Sequence, residues 1–232
     1  MKRALARYLT IGIGSAALVS GIVGLGHTAR GRAVTTAVTR MAHGGCPFGY
    51  DKPMSPAQRE RASTNFAATH RGERRAVSRP ALGFALDHTT RAQVIAHFAS
   101  YGVTCAADKG FSDLTCNGVP SAALGGSTPY APQRNVWFTF GTKQQLLSVT
   151  AFSRAPEPRP ISDAFVATRV ALDHQAGAVG ATQGDADARA LAGGLLHQAT
   201  AEFRFSDYYA RERASNMGKS FMLTEEYRSL AD

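Results

Sequence analysis

Between Phe84 and Phe152 the sequence changes its hydrophobic period from that of a helix to that of a sheet. This switch constrains the fold more than anything else in the chain. Thr90-Arg-Ala-Gln93 fits a capping box, with a hydroxyl at the N-cap and an amide three residues on. Val94, Ile95, Phe98 and Tyr101 follow at helical spacing, and Gly102 stands where a left-handed residue ends a helix. The pattern predicts a helix from Thr90 to Tyr101. Two short β-prone runs come next, Val103–Cys105 and Phe111–Cys116, and then a Gly/Ser/Pro-rich stretch from Gly118 to Pro132 that reads as a long surface loop. Val136, Phe138 and Phe140 alternate along one strand face. Leu146–Phe152 is the next strand, with Gly141–Gln145 as the hairpin loop between them. A helix lying on such strands predicts an α+β fold, with helices packed on a mostly antiparallel β-sheet.

The second half repeats the mixture. Ala155–Pro160 reads as a stiff proline connector. Helical sequence follows from Ser162 to Ala176, with Phe165, Arg169 and Leu172 on one face and Val166 and Val170 on the adjoining one. Asp185 is a candidate N-cap for a helix carrying Ala188, Leu191, Ala192, Leu195 and Leu196, although Gly193-Gly194 weakens it. Thr200–Tyr209 and Ser220–Tyr227 both alternate, and Asn216-Met-Gly218 marks a turn between them. By parity, Asp207 and Glu225 point inward. A carboxylate pair in a pocket supports acid–base chemistry when its surroundings push the two pKa values apart. The plainer reading is two salt-bridged strand ends, with partners such as Arg169 or Arg204.

The chain has 232 residues and a formal charge of +9, unevenly placed. Residues 1–79 hold 13 Lys/Arg against 3 Asp/Glu, and residues 80–232 hold 13 against 14. The basic balance therefore belongs to the N-terminal third. The near-neutral remainder argues against specific nucleic-acid binding.

Lys2, Arg3 and Arg7 precede an uncharged run of about 19 residues, Tyr8–Gly26. That is just long enough to cross a bilayer as a helix, which takes ~20 residues. It also fits a signal-peptide core. No good cleavage site follows, so an uncleaved anchor is the favoured expectation. Residues 1–29 are then a membrane anchor or signal segment. Residues 30–79 read as a basic stalk with one polar helix that starts at Ser55 and is nearly without apolar anchors except Phe66. Residues 80–232 are the globular domain. The basic start predicts a single-pass protein of the cell membrane, held through residues 8–26, with its globular domain in the periplasm. The expected partner is an envelope protein or the cell wall.

Cys105 and Cys116 are eleven positions apart, and a bridge between them suits an oxidising compartment. Two reduced, buried thiols are the alternative. Cys46, in His43-Gly-Gly-Cys46-Pro, is then the odd cysteine. It is open to three readings: a lipidation site, a reactive or metal- or haem-binding thiol assisted by His43, or a structural turn. Arg71, Arg74, Arg75 and Arg79 make a basic patch, either a membrane-surface contact or the solvated side of a linker. The histidines lack metal-ligand spacing, and neither a phosphate-binding loop nor a nucleophile elbow is present. No cofactor or catalytic constellation is expected.

Thr89-Thr90, Val94, Phe98, Gly102, Trp137–Phe140 and Leu147-Ser-Val149 give the segment from Gly83 to Ser153 a likeness to a known family. It resembles the SmpA/OmlA outer-membrane-assembly lipoproteins and the related β-lactamase-inhibitor-type repeat. The resemblance implies a small exported binding or scaffold module of a Gram-negative envelope. The chain differs from that family in lacking a lipobox and in its long basic stretch. The function expected is a membrane-tethered, non-enzymatic envelope module. The alternative is an enzyme or a metal- or haem-binding protein using Cys46 with His43, or Asp207 with Glu225.

Overall fold

The computed structural model describes residues 55–107, 113–125, 133–178 and 180–231. Tyr8–Gly26, His43 and Cys46 lie outside them. Among the described residues, no helix is long and apolar enough to cross a membrane.

The centre is a fully antiparallel eight-stranded sheet, β1 (Cys105–Ala107), β2 (Leu114–Pro120), β3 (Gln133–Phe140), β4 (Leu146–Ala155), β5 (Ala181–Gln183), β6 (Gln198–Arg204), β7 (Tyr208–Asn216) and β8 (Phe221–Ser229). The spatial order is β1-β2-β3-β4-β8-β7-β6-β5. Helices are α1 (Pro56–His70), α2 (Arg91–Ala99), α3 (Pro158–Ala176) and α4 (Ala188–Ala192). The fold is thus α+β, as the hydrophobic periods predict. It has two halves of one plan. A helix and four strands, α2 then β1–β4, is followed by another, α3 then β5–β8. The last strand of each half, β4 and β8, pair at the centre of the sheet.

The capping box of α2 is present: Gln93 N–H donates to Thr90 Oγ1, and Thr90 N–H donates to Gln93 Oε1. Gly102 is left-handed, with φ 72°. The helix ends at Ala99, earlier than its apolar pattern predicts. Val94 and Phe98 are buried on its inner face, while Ile95 and Tyr101 are exposed. Phe84, Phe98 and Phe138 meet edge to edge and tilted, with ring centroids 5.4–5.6 Å apart. They form the aromatic core of the first half.

Several boundaries differ from the sequence expectation. The expected loop from Gly118 begins as strand: β2 runs to Pro120, a 3-10 turn spans Ser121–Ala123, and Ala123 and Leu124 are buried. Small apolar residues that look like loop are here a tight turn tucked into the core. The expected proline connector is instead the end of β4 and the first turn of α3, where missing N–H groups cost nothing. α4 is only five residues, capped by Asp187 rather than Asp185. Gly193-Gly194 ends it, so Leu195 and Leu196 are left exposed.

The 30–79 stretch expected as a stalk is described only from residue 55, and there it packs on the sheet. α1 has the capping box predicted for it, between Ser55 and Gln58. Phe66 stacks on His70 at 4.1 Å and meets Tyr209 of β7 edge-on at 5.1 Å. The Arg228 guanidinium of β8 lies 4.2 Å from the Phe66 ring centroid. Near the other end of α1, Arg59 pairs with Asp113, just before β2, at 2.8 Å. A 15-residue helix is ~22 Å long, enough to cross the strands between these two points. So α1 lies across the face opposite α3. Beyond it, Gly72 N–H donates to Phe205 O at 3.0 Å. A side chain on Gly72 would strike the Arg204 carbonyl, which explains glycine there. Phe66→Ala should cost about 1–2 kcal/mol, combining a half-buried aromatic with its cation–π contact. In hydrogen exchange, α1 should lose protection before the sheet does; unchanged protection of α1 would count against Phe66 as its anchor.

Candidate functional site

Strand alternation puts one set of side chains from each central strand on the sheet face that α3 covers. β3 contributes Arg134 and Val136, β4 Ala151, β8 Leu223, Glu225 and Tyr227, and β7 Tyr208, Ala210 and Glu212, all buried. Register then decides who meets whom. One row across the sheet reads Cys105, Cys116, Val136, Ala151, Glu225, Glu212, Ala201, Thr182. Two glutamates are thus direct cross-strand neighbours in the middle of the core, flanked by the small Ala151 and Ala201. Like charges so placed repel.

The pair is resolved asymmetrically. Arg134 Nη1 donates to Glu225 Oε2 at 2.7 Å, and both side chains are 0% exposed. Tyr227 O–H donates to Glu225 Oε1 at 3.0 Å. Glu212 is also fully buried, yet neither of its oxygens has a hydrogen-bond partner. Burial pushes the Glu212 carboxyl up to about 9, with Glu225 and Asp173 adding to the rise and Arg169 opposing it. Burial pushes Glu225 up as well, against the pull of Arg134 and of the Tyr227 hydroxyl. The buried Arg134 guanidinium needs an anion beside it. Glu225 is therefore the ionised partner at neutral pH, and Glu212 holds a proton. Burial also raises Tyr208 and Tyr227, so both stay neutral.

A cleft of about 390 Å³ lies beside them, with the buried Glu225 and Tyr227 behind its floor. One wall is α3, with Ala167, Thr168, Ala171, Leu172 and Gln175; the other is Pro80–Phe84. Tyr208 O–H donates to Pro80 O at 2.5 Å and fastens that second wall to β7. Gly83 and Gly125 shape the rim, both at positive φ, their backbones too close for a Cβ on Gly125. Thr168 Oγ1 is buried on the α3 wall without a hydrogen-bond partner.

The sequence places Glu225 inward correctly. Its expected companion, Asp207, is not beside it. Phe205 N–H donates to Tyr208 O at 2.9 Å, closing a tight turn, so the alternation counted from Thr200 does not run on through Asp207. Asp207 instead accepts from Ala76 N–H at 3.0 Å and pairs with Arg75 at 3.4 Å. Glu212, the true neighbour, lies on a strand that the sequence reading leaves unread. The signal was Ser206-Asp207, a turn-forming pair followed by a second alternating run.

The four arginines of the basic patch are spread along the domain. Arg71 donates to Leu230 O at 2.7 Å, Arg75 pairs with Asp207, and Arg79 pairs with Asp87 at 2.7 Å. Arg74 accepts at its carbonyl from Ser206 N–H. Cys105 and Cys116 form a disulfide, with α-carbons 4.2 Å apart, that ties the three-residue edge strand β1 to β2. Replacing both by serine should lower stability by ~2–4 kcal/mol and leave a folded protein, read by urea denaturation. A loss under 1 kcal/mol would mean that β1 adds little to the fold. No cluster of His, Cys, Asp and Glu among the described residues suits a metal. No family model, no curated protein and no solved structure matches this chain.

Proposed function

We propose that this chain is an exported, membrane-tethered envelope protein whose folded part binds a ligand rather than transforming one. The observation that carries the reading is the cleft under α3. It has apolar walls and a few convergent polar groups, the usual make-up of a small-molecule site. Its one ionised group, Glu225, is already committed to Arg134 and Tyr227. A carboxylate held and buried in that way serves poorly as a general base. The disulfide supports an oxidising compartment, and the basic-then-apolar start at Lys2–Gly26 supports a tether. The likeness of Gly83–Ser153 to the assembly lipoproteins points the same way.

A reporter that works only outside the cytoplasm, fused after Asp232, should be active, and a cytoplasm-only reporter should be silent. Thiol labelling of denatured, unreduced protein from the envelope should modify Cys46 alone. The reverse reporter pattern, or labelling of all three cysteines, overturns the location.

A further inference from the structure

We infer that the sheet face opposite α3 is a docking surface for an acidic glycan, a sugar chain with carboxylates spaced along it; the choice of a glycan rests on the reading of the chain as exported. The central strands alternate buried side chains on the α3 side with part-exposed ones on this side, as β8 does from Leu223 to Ser229 and β3 from Arg134 to Phe140. Such alternation marks a sheet with one face in the core and one toward water. Among the described residues, α1 is the element laid on this face. Its contacts with Tyr209, Arg228 and Asp113 put it over the row Thr139, Ser148, Arg228, Tyr209. Two rows lie beyond it. One reads Trp137, Thr150, Glu226, Arg211, and the next reads Asn135, Phe152, Thr224, Arg213. None of these side chains is buried.

Three features of these rows select the partner. Trp137 and Phe152 lie together, with ring centroids 4.6 Å apart, and Trp137 is the single tryptophan of the chain. Two rings on a sheet face offer a stacking surface, and the C–H-lined face of a sugar packs well on aromatic carbon. Charge is the second feature. Arg154, Arg204, Arg211, Arg213 and Arg228 share this face with only Glu202 and Glu226. Arg211 pairs with Glu226, Arg204 pairs with Glu202, and Arg228 lies over Phe66. Among the described residues, Arg154 and Arg213 have no carboxylate partner. Arg154 follows Phe152 on the same face of β4, and Arg213 stands two strands across from Phe152, about 10 Å at ~4.8 Å per strand. A carboxylate one or two sugars away from a stacked ring falls within reach of both. Third, Thr150, Thr224 and Thr200 place hydroxyls around the rings, which suit the hydroxyls of a sugar. Nucleic acid brings a phosphate on every unit, too many for two uncommitted arginines on a domain with 13 Lys/Arg and 14 Asp/Glu in residues 80–232. An extended peptide adds to a sheet edge, whereas the backbone groups of these central strands already pair within the sheet.

The test is titration of the full chain in detergent, followed by calorimetry and by Trp137 fluorescence. The probes are hyaluronan hexasaccharide, which carries a carboxylate on alternate sugars, uncharged chitohexaose, hexaglutamate and a thymidylate hexamer. Wild type is compared with Arg213→Gln, Phe152→Thr and Arg159→Gln, the last removing an exposed arginine of α3 on the other side of the sheet. Thermal melting checks that each variant is folded, and Trp137 emission in wild type decides the face even where a variant is not. Hyaluronan hexasaccharide should bind at least tenfold more tightly than chitohexaose, change Trp137 emission, and weaken as salt rises. Arg213→Gln should weaken hyaluronan about tenfold, the range for a hydrogen bond to a charged group, and leave chitohexaose unchanged. Phe152→Thr should weaken both about tenfold, as loss of a stacking ring does. Arg159→Gln should change neither. Chitohexaose binding as tightly as hyaluronan overturns the acidic character of the partner. Tighter binding of hexaglutamate or thymidylate overturns the glycan. Binding of none of the probes, binding that leaves Trp137 emission unchanged, or an equal loss on Arg159→Gln overturns the surface itself. The reporter fusions test export separately, so failure of the surface and failure of the location are told apart.

Discussion

Arg134→Met should destabilise the domain by about 3–5 kcal/mol at neutral pH. Arg134 and Glu225 are both 0% exposed, joined at 2.7 Å. Removing the guanidinium leaves an ionised carboxylate in the core, beside a second carboxyl and with only the Tyr227 hydroxyl to hold it. Breaking one side of a buried pair costs far more than the pair is worth. Arg134→Met combined with Glu225→Leu should therefore recover most of the loss, because two well-packed apolar side chains replace the two charges. Urea denaturation of the two singles and the double gives the coupling. A single-variant cost under 1 kcal/mol would mean that Glu225 is not the ionised partner. The single variant should also recover stability in acid, where Glu225 takes up a proton.

Glu212→Leu should do the opposite and stabilise the protein by about 2–4 kcal/mol near pH 8, since it removes a buried carboxyl with no partner. The pH dependence follows from the direction of the shift. The Glu212 carboxyl is raised to about 9 in the folded protein, against 4.5 normally. Between those values the folded state keeps a proton that the unfolded chain has released. The contribution is fully present below 4.5 and is lost as pH rises toward 9, at up to ~1.4 kcal/mol per pH unit. The groups that act on Glu212 and its neighbour are Glu225 and Tyr227 of β8, Tyr208 of β7, Arg134 of β3, and Arg169 and Asp173 of α3. Wild type should thus lose stability steadily from pH 5 to pH 8, and Glu212→Leu should flatten that slope. An unchanged slope would place the titration elsewhere.

Period and capping make much of the sheet and two helices legible in the sequence. Thr90 with Gln93, Ser55 with Gln58, and the alternation of Val136, Phe138 and Phe140 are local signals, and local signals survive folding. The two capping boxes form, and all three of those alternating side chains are buried. The site was only half legible. Glu225 shows its direction by parity, but its neighbour depends on register, and register depends on where the chain turns. A single unread turn at Phe205–Tyr208 hid β7 and with it Glu212. Arg134 was invisible for another reason. A basic residue near a Gly/Pro-rich stretch looks solvated, and only the strand two places away in the sheet explains its burial. α1 misled in the same way, because one phenylalanine is a thin apolar stripe until Arg228 and Tyr209 are seen beside it.

The repeated plan of helix and four strands has a consequence for where polarity can go. The arrangement is that of a twofold dimer fused into one chain, with β4 and β8 as the seam. A true dimer would have to put the same side chains beneath both helices. Within one chain that obligation does not hold, and the two halves differ. Phe98 of α2 packs on Phe84 and Phe138; on the α3 side the core carries Glu225 and Glu212. Arg134 comes from the first half and its carboxylate from the second. The seam is therefore crossed by a buried ion pair as well as by strand pairing.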